Sequence, residues 1–255
     1  MQVQQLAEAH GGIALLRIED TDSSRVRQKF DDMLIEDLTW LGFSWPSLIR
    51  RQSQHYVEYW SVLDDLADRG LLYPCSCNRK AIQAAGAKLG SDGLVYPGTC
   101  RYRSMIDSKP GDAIRLNVEK ALSLISKPLT YKEIGENDGQ VNISVDHLLS
   151  NLGDPVLRRK ETGDPAYHLA CVHDDALQSV THVVRGSDIK GLTPIHIVLQ
   201  QLMGWPTPTY LHHRLILDAD GKRLAKVSLS KSISSYKAEG ATPNDIRELV
   251  GLPKV

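Results

Sequence analysis

One arginine and three carboxylates fall in the run Arg17-Ile18-Glu19-Asp20-Thr21-Asp22. The short apolar segment Gly12-Ile13-Ala14-Leu15-Leu16 leads into it from a glycine pair, and polar turn formers follow. Length and apolar content predict a buried strand there. The charged residues would then lie at its C-terminal mouth, where open α/β sheets place ligands. The same residues also suit a solvated turn in which Asp22 or Ser23 caps the next helix.

Three of the four cysteines form a second constellation. Cys75-Ser76-Cys77 is followed by Tyr96-Pro97-Gly98-Thr99-Cys100. Three thiolates make a soft ligand set suited to Zn²⁺, which in structural sites takes four ligands in a tetrahedron. Tyr96 is the nearby candidate for the fourth position, one helical turn or one tight loop before Cys100; water or a distant histidine are the alternatives. Such a knuckle would fold its segment without taking part in catalysis. Cys171, within an apolar helix, reads as core. Elsewhere Tyr167, at the start of a helix, and Arg185, at the end of a strand, could jointly hold an amino-acid carboxylate, since arginine binds carboxylate bidentately. A packed tyrosine and a surface arginine are the plainer alternative. Lys222, Arg223 and Lys226 sit on a glycine-bounded turn. A loop of that kind can close on a triphosphate as pyrophosphate leaves, or it can be a solvated basic hairpin. No Walker A motif, Ser-His-Asp order or His-Glu-X-X-His motif is present. His212-His213 reads as structural.

The elements that must position these residues alternate. Val3 to His10 has helical character and ends at Gly11-Gly12. Val26 to Leu41 carries Val26, Phe30, Met33, Leu34, Leu38 and Leu41 at helical spacing, with Asp22-Ser23-Ser24 as cap candidates. Gln54 to Arg69 places Tyr56, Tyr59, Trp60, Leu63 and Leu66 along one stripe, which reads as core. Strands are expected at 113–118, 155–159, 180–184 and 210–217. Helices are expected at 166–176, at 194–203 between Pro194 and Gly204, and at 243–250. Strands alternating with helices imply an α/β fold with a mainly parallel sheet. The expected division is 1–70 as the first part of an α/β domain, 71–127 as a metal-bearing insertion, and 128–255 as the second part.

At 255 residues the chain can bury a substantial core. A hydrophobic share of 42% and a charged share of 24% describe an ordinary globular protein, and the net charge of −1 gives no global attraction to nucleic acid. Contacts with nucleic acid would need a local patch, for which Arg158-Arg159-Lys160 is the candidate, though a solvated strand end explains those residues equally well. The apolar runs are too short to cross a bilayer, the first residues lack signal-peptide character, and clustered cysteines suit a cytoplasmic metal site.

Taken together, Leu16 to Asp22, Val184-Arg185-Gly186-Ser187-Asp188, and Leu215-Ile216-Leu217 leading to Arg223-Leu224-Ala225-Lys226 resemble the catalytic domain of the glutamyl/glutaminyl class I tRNA synthetases. Cys-X-Cys followed by Tyr-X-X-X-Cys is more selective and resembles the glutamyl-queuosine tRNA(Asp) synthetases of that family. The resemblance spans nearly the whole chain. It implies a Rossmann-type class I aminoacyl-tRNA synthetase fold with a zinc-bearing insertion and no anticodon-binding domain. It implies ATP-dependent activation of L-glutamate to the adenylate, with Mg²⁺, and transfer to queuosine at the wobble position of tRNA(Asp). Carried over by position, Glu19, Tyr167 and Arg185 would bind glutamate. Lys226 would contact ATP as the catalytic lysine of the KMSKS-type loop, and Cys75, Cys77, Tyr96 and Cys100 would hold one structural zinc.

Two departures from the family pattern stand out. The loop reads Arg-Leu-Ala-Lys-Val where the fuller motif has Lys-Met-Ser-Lys-Ser. The first strand and the HIGH-type segment, whose helix N-terminus faces the ATP phosphates, have no counterpart. Val3 to Gly12 looks like the tail of that helix. On this reading glutamate-dependent ATP–pyrophosphate exchange by the 255-residue chain is expected to be absent or very low. A piece of an ordinary glutamyl-tRNA synthetase charging tRNA(Glu), or a non-catalytic paralogue, are the alternative readings.

Overall fold

The computed structural model describes residues 1–24, 26–46, 48–91, 93–135, 138–217 and 231–252. Helices run in the order α1 (Gln2–Ala9), α2 (Gln28–Trp40), α3 (Tyr56–Asp68), α4 (Arg79–Ala84) and α5 (Val118–Ser123). They continue with α6 (Val145–Asn151), α7 (Tyr167–Leu177), α8 (Thr193–Met203), α9 (Ile233–Ala238) and α10 (Pro243–Leu249). The first strands are β1 (Arg17–Ile18), β2 (Arg50–Arg51), β3 (Leu72–Cys75), β4 (Leu89–Gly90), β5 (Gly93–Leu94) and β6 (Ala113–Leu116). After them come β7 (Thr130–Glu133), β8 (Gly139–Asn142), β9 (Val156–Arg158), β10 (His182–Gly186) and β11 (Thr209–His213).

Contacts group the chain into two compact units. One comprises Arg17–Val26 and Arg51–His213, the other Met1–Leu16, Arg27–Arg50 and Arg214–Val255. The larger unit holds the core. A four-stranded sheet has the order β10-β11-β7-β8, with β10, β11 and β7 parallel and β8 antiparallel to β7. A separate antiparallel sheet has the order β3-β6-β9. The fold is therefore mixed α/β: the four-stranded sheet is mainly parallel, as expected, and the separate antiparallel sheet is the addition to that expectation. Connections set the strand directions in the four-stranded sheet: the antiparallel neighbour β8 follows β7 after a short turn, while β11 follows β10 through a helix, as a parallel crossover requires. The segment expected as a self-contained insertion at 71–127 shares its sheet with β9, outside those bounds.

Helices α3, α7 and α8 pack the core. Tyr59, Leu66, Leu169, Ile197 and Val198 are fully covered, each burial contributing about 2 kcal/mol against exposure. Pro194 opens α8 and Gly204 closes it in the left-handed conformation, with the Trp205 amide bonded back to Gln200. In the smaller unit, α10 carries a capping box between Thr242 and Asp245.

Two local expectations fail. No strand forms at 12–16: Ile13 is 68% exposed, and only Arg17 and Ile18 take strand pairing there. A short apolar run becomes a strand only where a neighbour offers a ladder, and among the described residues none does so for 12–16. Helix α2 buries none of its residues, and Phe30, Met33 and Leu34 remain exposed. Its N-cap is Arg27, without a side-chain cap. The residues read as caps are used elsewhere, Ser24 bonding Asp22 and Ser23 bonding Asp164. Strand β11 ends at His213, short of the expected 217.

Candidate active site

The carboxyl ends of the parallel strands carry the polar cluster. Arg185 lies near the end of β10, directly opposite His212 of β11, and Glu133 is the last residue of β7. Arg185 is 8% exposed. Its Nε donates to His212 Nε2 at 3.1 Å, and Nη2 donates to the Thr193 hydroxyl at 2.6 Å. Nη1 reaches His196 Nδ1 at 3.1 Å and the Tyr167 hydroxyl at 3.4 Å. The guanidinium also sits 5.1 Å from the Tyr210 ring centroid. All of these partners are uncharged. The structure thus brings the expected pair Tyr167 and Arg185 together, and no carboxylate among the described residues pairs with the cation. Burial pushes the Tyr167 phenol well above its ordinary range, and the nearby Glu19 carboxylate adds to the shift.

Glu19 belongs to the same neighbourhood through Arg17. Arg17 donates to Asp175 at 2.8 Å, to Glu19 at 3.1 Å and to the Cys171 sulfur at 3.3 Å. Asp175 and Cys171 lie on α7, as does Tyr167. Of the three carboxylates in the opening run, two are structural. Asp20 accepts from the Ser53 amide and hydroxyl at 2.8 and 2.6 Å, and Asp22 accepts from Arg159 at 3.0 Å. Glu19 alone keeps a largely accessible side chain, at 41%. The loop that follows it is fixed, because Tyr56 donates to the Thr21 carbonyl and Asp164 accepts from Ser23. Cys171 is buried as expected, and burial raises its thiol pKa far above the usual value.

Sequence reasoning missed Asp175, Thr193, His196 and Glu133. Asp175 and His196 sit on helices where an isolated polar residue gives no periodic signal, and Glu133 ends a strand with no motif around it. The His212 side chain, structural by its place in the sequence, is buried against Glu133 at 2.9 Å and stacked on Tyr210. Lys226, Arg223 and Lys222 lie outside the described residues. In the basic patch, Arg159 pairs with Asp22 and Lys160 donates to the Ser76 carbonyl at 2.6 Å.

The cysteines converge beside the antiparallel sheet. Strand β3 is buried throughout and delivers Cys75 opposite Ala113. Asn78 then caps α4 by accepting from the Ala81 amide. Cys77 and Cys100 sulfurs are 3.6 Å apart, and the Tyr96 oxygen lies 3.3 Å from Cys75 and 3.6 Å from Cys77. A tetrahedron with Zn–S near 2.3 Å has edges of about 3.8 Å. The four donors therefore fit one zinc ion. Burial and hydrogen bonds with the three thiols push the Tyr96 phenol well above its usual range, while the Cys100 amide, donating to the Tyr96 oxygen at 2.8 Å, acts in the opposite direction. Burial alone would raise the Cys100 thiol pKa, but hydrogen bonds from Tyr96 and the Ser76 amide prevail and lower it to about 7.

Asp154, fully buried, ties the knuckle to the fold by accepting from Tyr73 at 2.5 Å, Arg101 at 2.7 Å and the Val118 amide at 3.0 Å. Gly98, at φ +83°, makes the turn before Cys100. A Cβ on Gly90 would come within 2.0 Å of the Asn151 carbonyl, so only glycine lets β4 and β5 lie against α6. Between knuckle and polar cluster lies a cavity of about 520 Å³ lined by Tyr96, Arg115, Asp154, Arg159, Tyr167 and His168, among others. No helix among the described residues is long and apolar enough to cross a membrane.

Comparison with known proteins converges on one family. The family described as tRNA synthetases class I (E and Q), catalytic domain, matches residues 2–253. A glutamyl-Q tRNA(Asp) synthetase of Rhodobacter capsulatus is 43% identical, covering 97% of this chain and 91% of the relative. One of Neisseria gonorrhoeae is 39% identical, covering 91% of this chain and 75% of the relative. A solved glutamate tRNA ligase from Elizabethkingia meningosepticum, in complex with its amino acid, shares the fold with a TM-score of 0.72 at 23% identity. That match covers 98% of this chain, which spans 56% of the solved one. The chain belongs to the class I (E and Q) tRNA synthetase family and, within it, to the homologues of the glutamyl-Q tRNA(Asp) synthetases.

Proposed function

We propose that this protein activates L-glutamate with ATP to glutamyl-adenylate and transfers the glutamate to queuosine at the wobble position of tRNA(Asp) in the cytoplasm. The observation that carries the reading is Arg185: a buried cation with only neutral hydrogen-bond partners among the described residues, beside Tyr167, at the carboxyl ends of parallel strands. Such a group lacks only an anion. A ligand carboxylate takes its place against Arg185 and the Tyr167 hydroxyl, as bidentate pairing with arginine favours. Glu19, the accessible carboxylate of the opening loop, receives the ligand's ammonium, and Arg17 holds Glu19 in place. The cavity beside Tyr167 has the volume of a small-molecule site and gives the acceptor nucleoside access to the activated carboxyl. Lys226 meets the ATP phosphates, with Mg²⁺ as counterion, and stabilises the negative charge of departing pyrophosphate.

One zinc ion held by Cys75, Cys77, Tyr96 and Cys100 supplies a structural crosslink between β3 and the loop after β5. Metal analysis of the purified protein should give one zinc per chain, and Cys100→Ser should abolish it.

Transfer of labelled glutamate to tRNA(Asp) with and without queuosine, and to tRNA(Glu), tests the function. Whatever labelling occurs, however low, is expected on queuosine-bearing tRNA(Asp) alone and is unaffected by removal of the 3′ terminal nucleotides. Labelling of tRNA(Glu) at its 3′ end, and none of tRNA(Asp), would replace this reading with that of an ordinary glutamyl-tRNA synthetase. Absence of glutamate binding by calorimetry would overturn both.

A further inference from the structure

Arg185 leans on two imidazoles, and hydrogen-bond direction fixes the state of each. An arginine nitrogen only donates, so His212 Nε2 and His196 Nδ1 must both present lone pairs. His196 then carries its proton on Nε2 and gives it to His168 Nδ1, 3.2 Å away. His212 carries its proton on Nδ1, where the Glu133 carboxylate oxygens lie 2.9 and 3.0 Å away. Glu133 is 3% exposed. It also accepts from the His212 backbone amide at 3.3 Å and pairs with Lys190 at 3.3 Å. The imidazole is held flat as well, since His212 stacks on Tyr210 with an interplanar angle of 2°. Burial lowers the pKa of both His196 and His212, which keeps them neutral beside the cation.

We propose that Glu133, acting through His212, is a positioning residue for Arg185: it locks the His212 ring in its Nδ1–H form so that Nε2 aims a lone pair at the Arg185 Nε–H. Without Glu133 the ring is free to take the Nε2–H form, which sets a donor against a donor and turns the guanidinium away from Tyr167. The placement also has an electrostatic purpose. A carboxylate in direct contact with Arg185 would neutralise it and compete with an incoming anion. One imidazole farther out, Glu133 orients the arginine and leaves its charge for the ligand. The bonds to His212, His196 and Thr193 use three of the five guanidinium N–H groups, and the contact with Tyr167 is long at 3.4 Å. The donors that remain face no carboxylate among the described residues, and an anionic ligand would take them.

The bearing of this device on glutamate rests on the proposed function, whereas the tautomer does not, so the two are tested separately. Long-range ¹H–¹⁵N correlation spectra of histidine-labelled protein, with the His212 signals assigned by His212→Gln, read the tautomer directly. The unaltered protein should show neutral His212 protonated on Nδ1 at pH 7. An Nε2–H form or an imidazolium would overturn the proposal without need of any variant. Glu133→Gln retains an acceptor and should keep the Nδ1–H form, while Glu133→Leu should shift the ring toward Nε2–H. Calorimetry with L-glutamate should then show binding weakened about tenfold or more in Glu133→Leu, the loss of one hydrogen bond to a charged group, and little changed in Glu133→Gln. Equal affinity in the Leu variant and the unaltered protein would refute the positioning role. If the unaltered protein binds no glutamate, the functional reading fails while the tautomer result stands on its own.

Discussion

Arg17 and Arg185 are both largely buried guanidinium groups of the larger unit, yet they are satisfied in opposite ways. Arg17 spends its charge inside the protein, on Asp175 and Glu19. Arg185 is surrounded by two imidazoles and two hydroxyls. A cation paired with carboxylates is part of the framework. One supported by neutral acceptors is oriented but electrostatically open, and a buried open charge is costly to keep unless a ligand uses it. On the proposed function, the difference separates a residue that builds the site from one that reads the substrate.

Substitution can break that comparison. The largest effect on folding is expected from Arg17→Met, which leaves Asp175 buried without its partner and should cost about 3 kcal/mol in denaturant unfolding. Adding Asp175→Leu should recover most of that loss, because removing both charges leaves no unpaired ion. Arg185→Met should behave differently. Its neutral partners tolerate the loss, so stability changes little, while calorimetric affinity for L-glutamate falls about 100-fold, close to 3 kcal/mol. If Arg185→Met were instead the more destabilising of the two, the distinction between framework and reader would collapse. Tyr167→Phe should weaken glutamate binding by only about threefold to tenfold, in keeping with one long hydrogen bond.

The smallest effect is in pH. His196 and His212 have lowered pKa values in the folded state, through burial first. The unfolded chain therefore binds protons that the native state refuses as pH drops below the ordinary histidine value of about 6.5. Their contribution is present above that pH and is lost as pH falls toward the folded values. Unfolding free energy should decline from pH 7 to 5, and His196→Gln, which can still accept from Arg185, should flatten that decline by about one proton.

The cysteine knuckle and the Arg185 cluster differ equally in how far they could be read from the chain. Cys75, Cys77, Tyr96 and Cys100 lie within one segment, and their donor atoms converge as the soft-ligand argument expects. What holds them together, Asp154 with Tyr73 and Arg101, is invisible in the motif because those bonds join positions 81 and 53 residues apart. Helix existence was also legible: α3, α7, α8 and α10 fall where periodicity and Pro–Gly punctuation put them. The absence of a strand at 12–16 and the exposure of the apolar stripe of α2 were not, since an apolar run states what could be covered and not what covers it.

Residue types and local spacing therefore pointed to the three-cysteine knuckle with Tyr96 as its nearby fourth donor, the helices of the core, and Tyr167 with Arg185 as candidates for a ligand carboxylate, while Glu19 came with the family resemblance. Only the tertiary structure decided which charge in the opening run stays available, with Asp20 and Asp22 consumed by Ser53 and Arg159 and Glu19 left accessible. It alone brought Glu133, His212 and Arg185 into line, because parallel register sets residues from strands far apart in sequence side by side. The physical reason is the same in each case. A charge or an imidazole takes its role from the partners within hydrogen-bond reach, and those partners are chosen by packing.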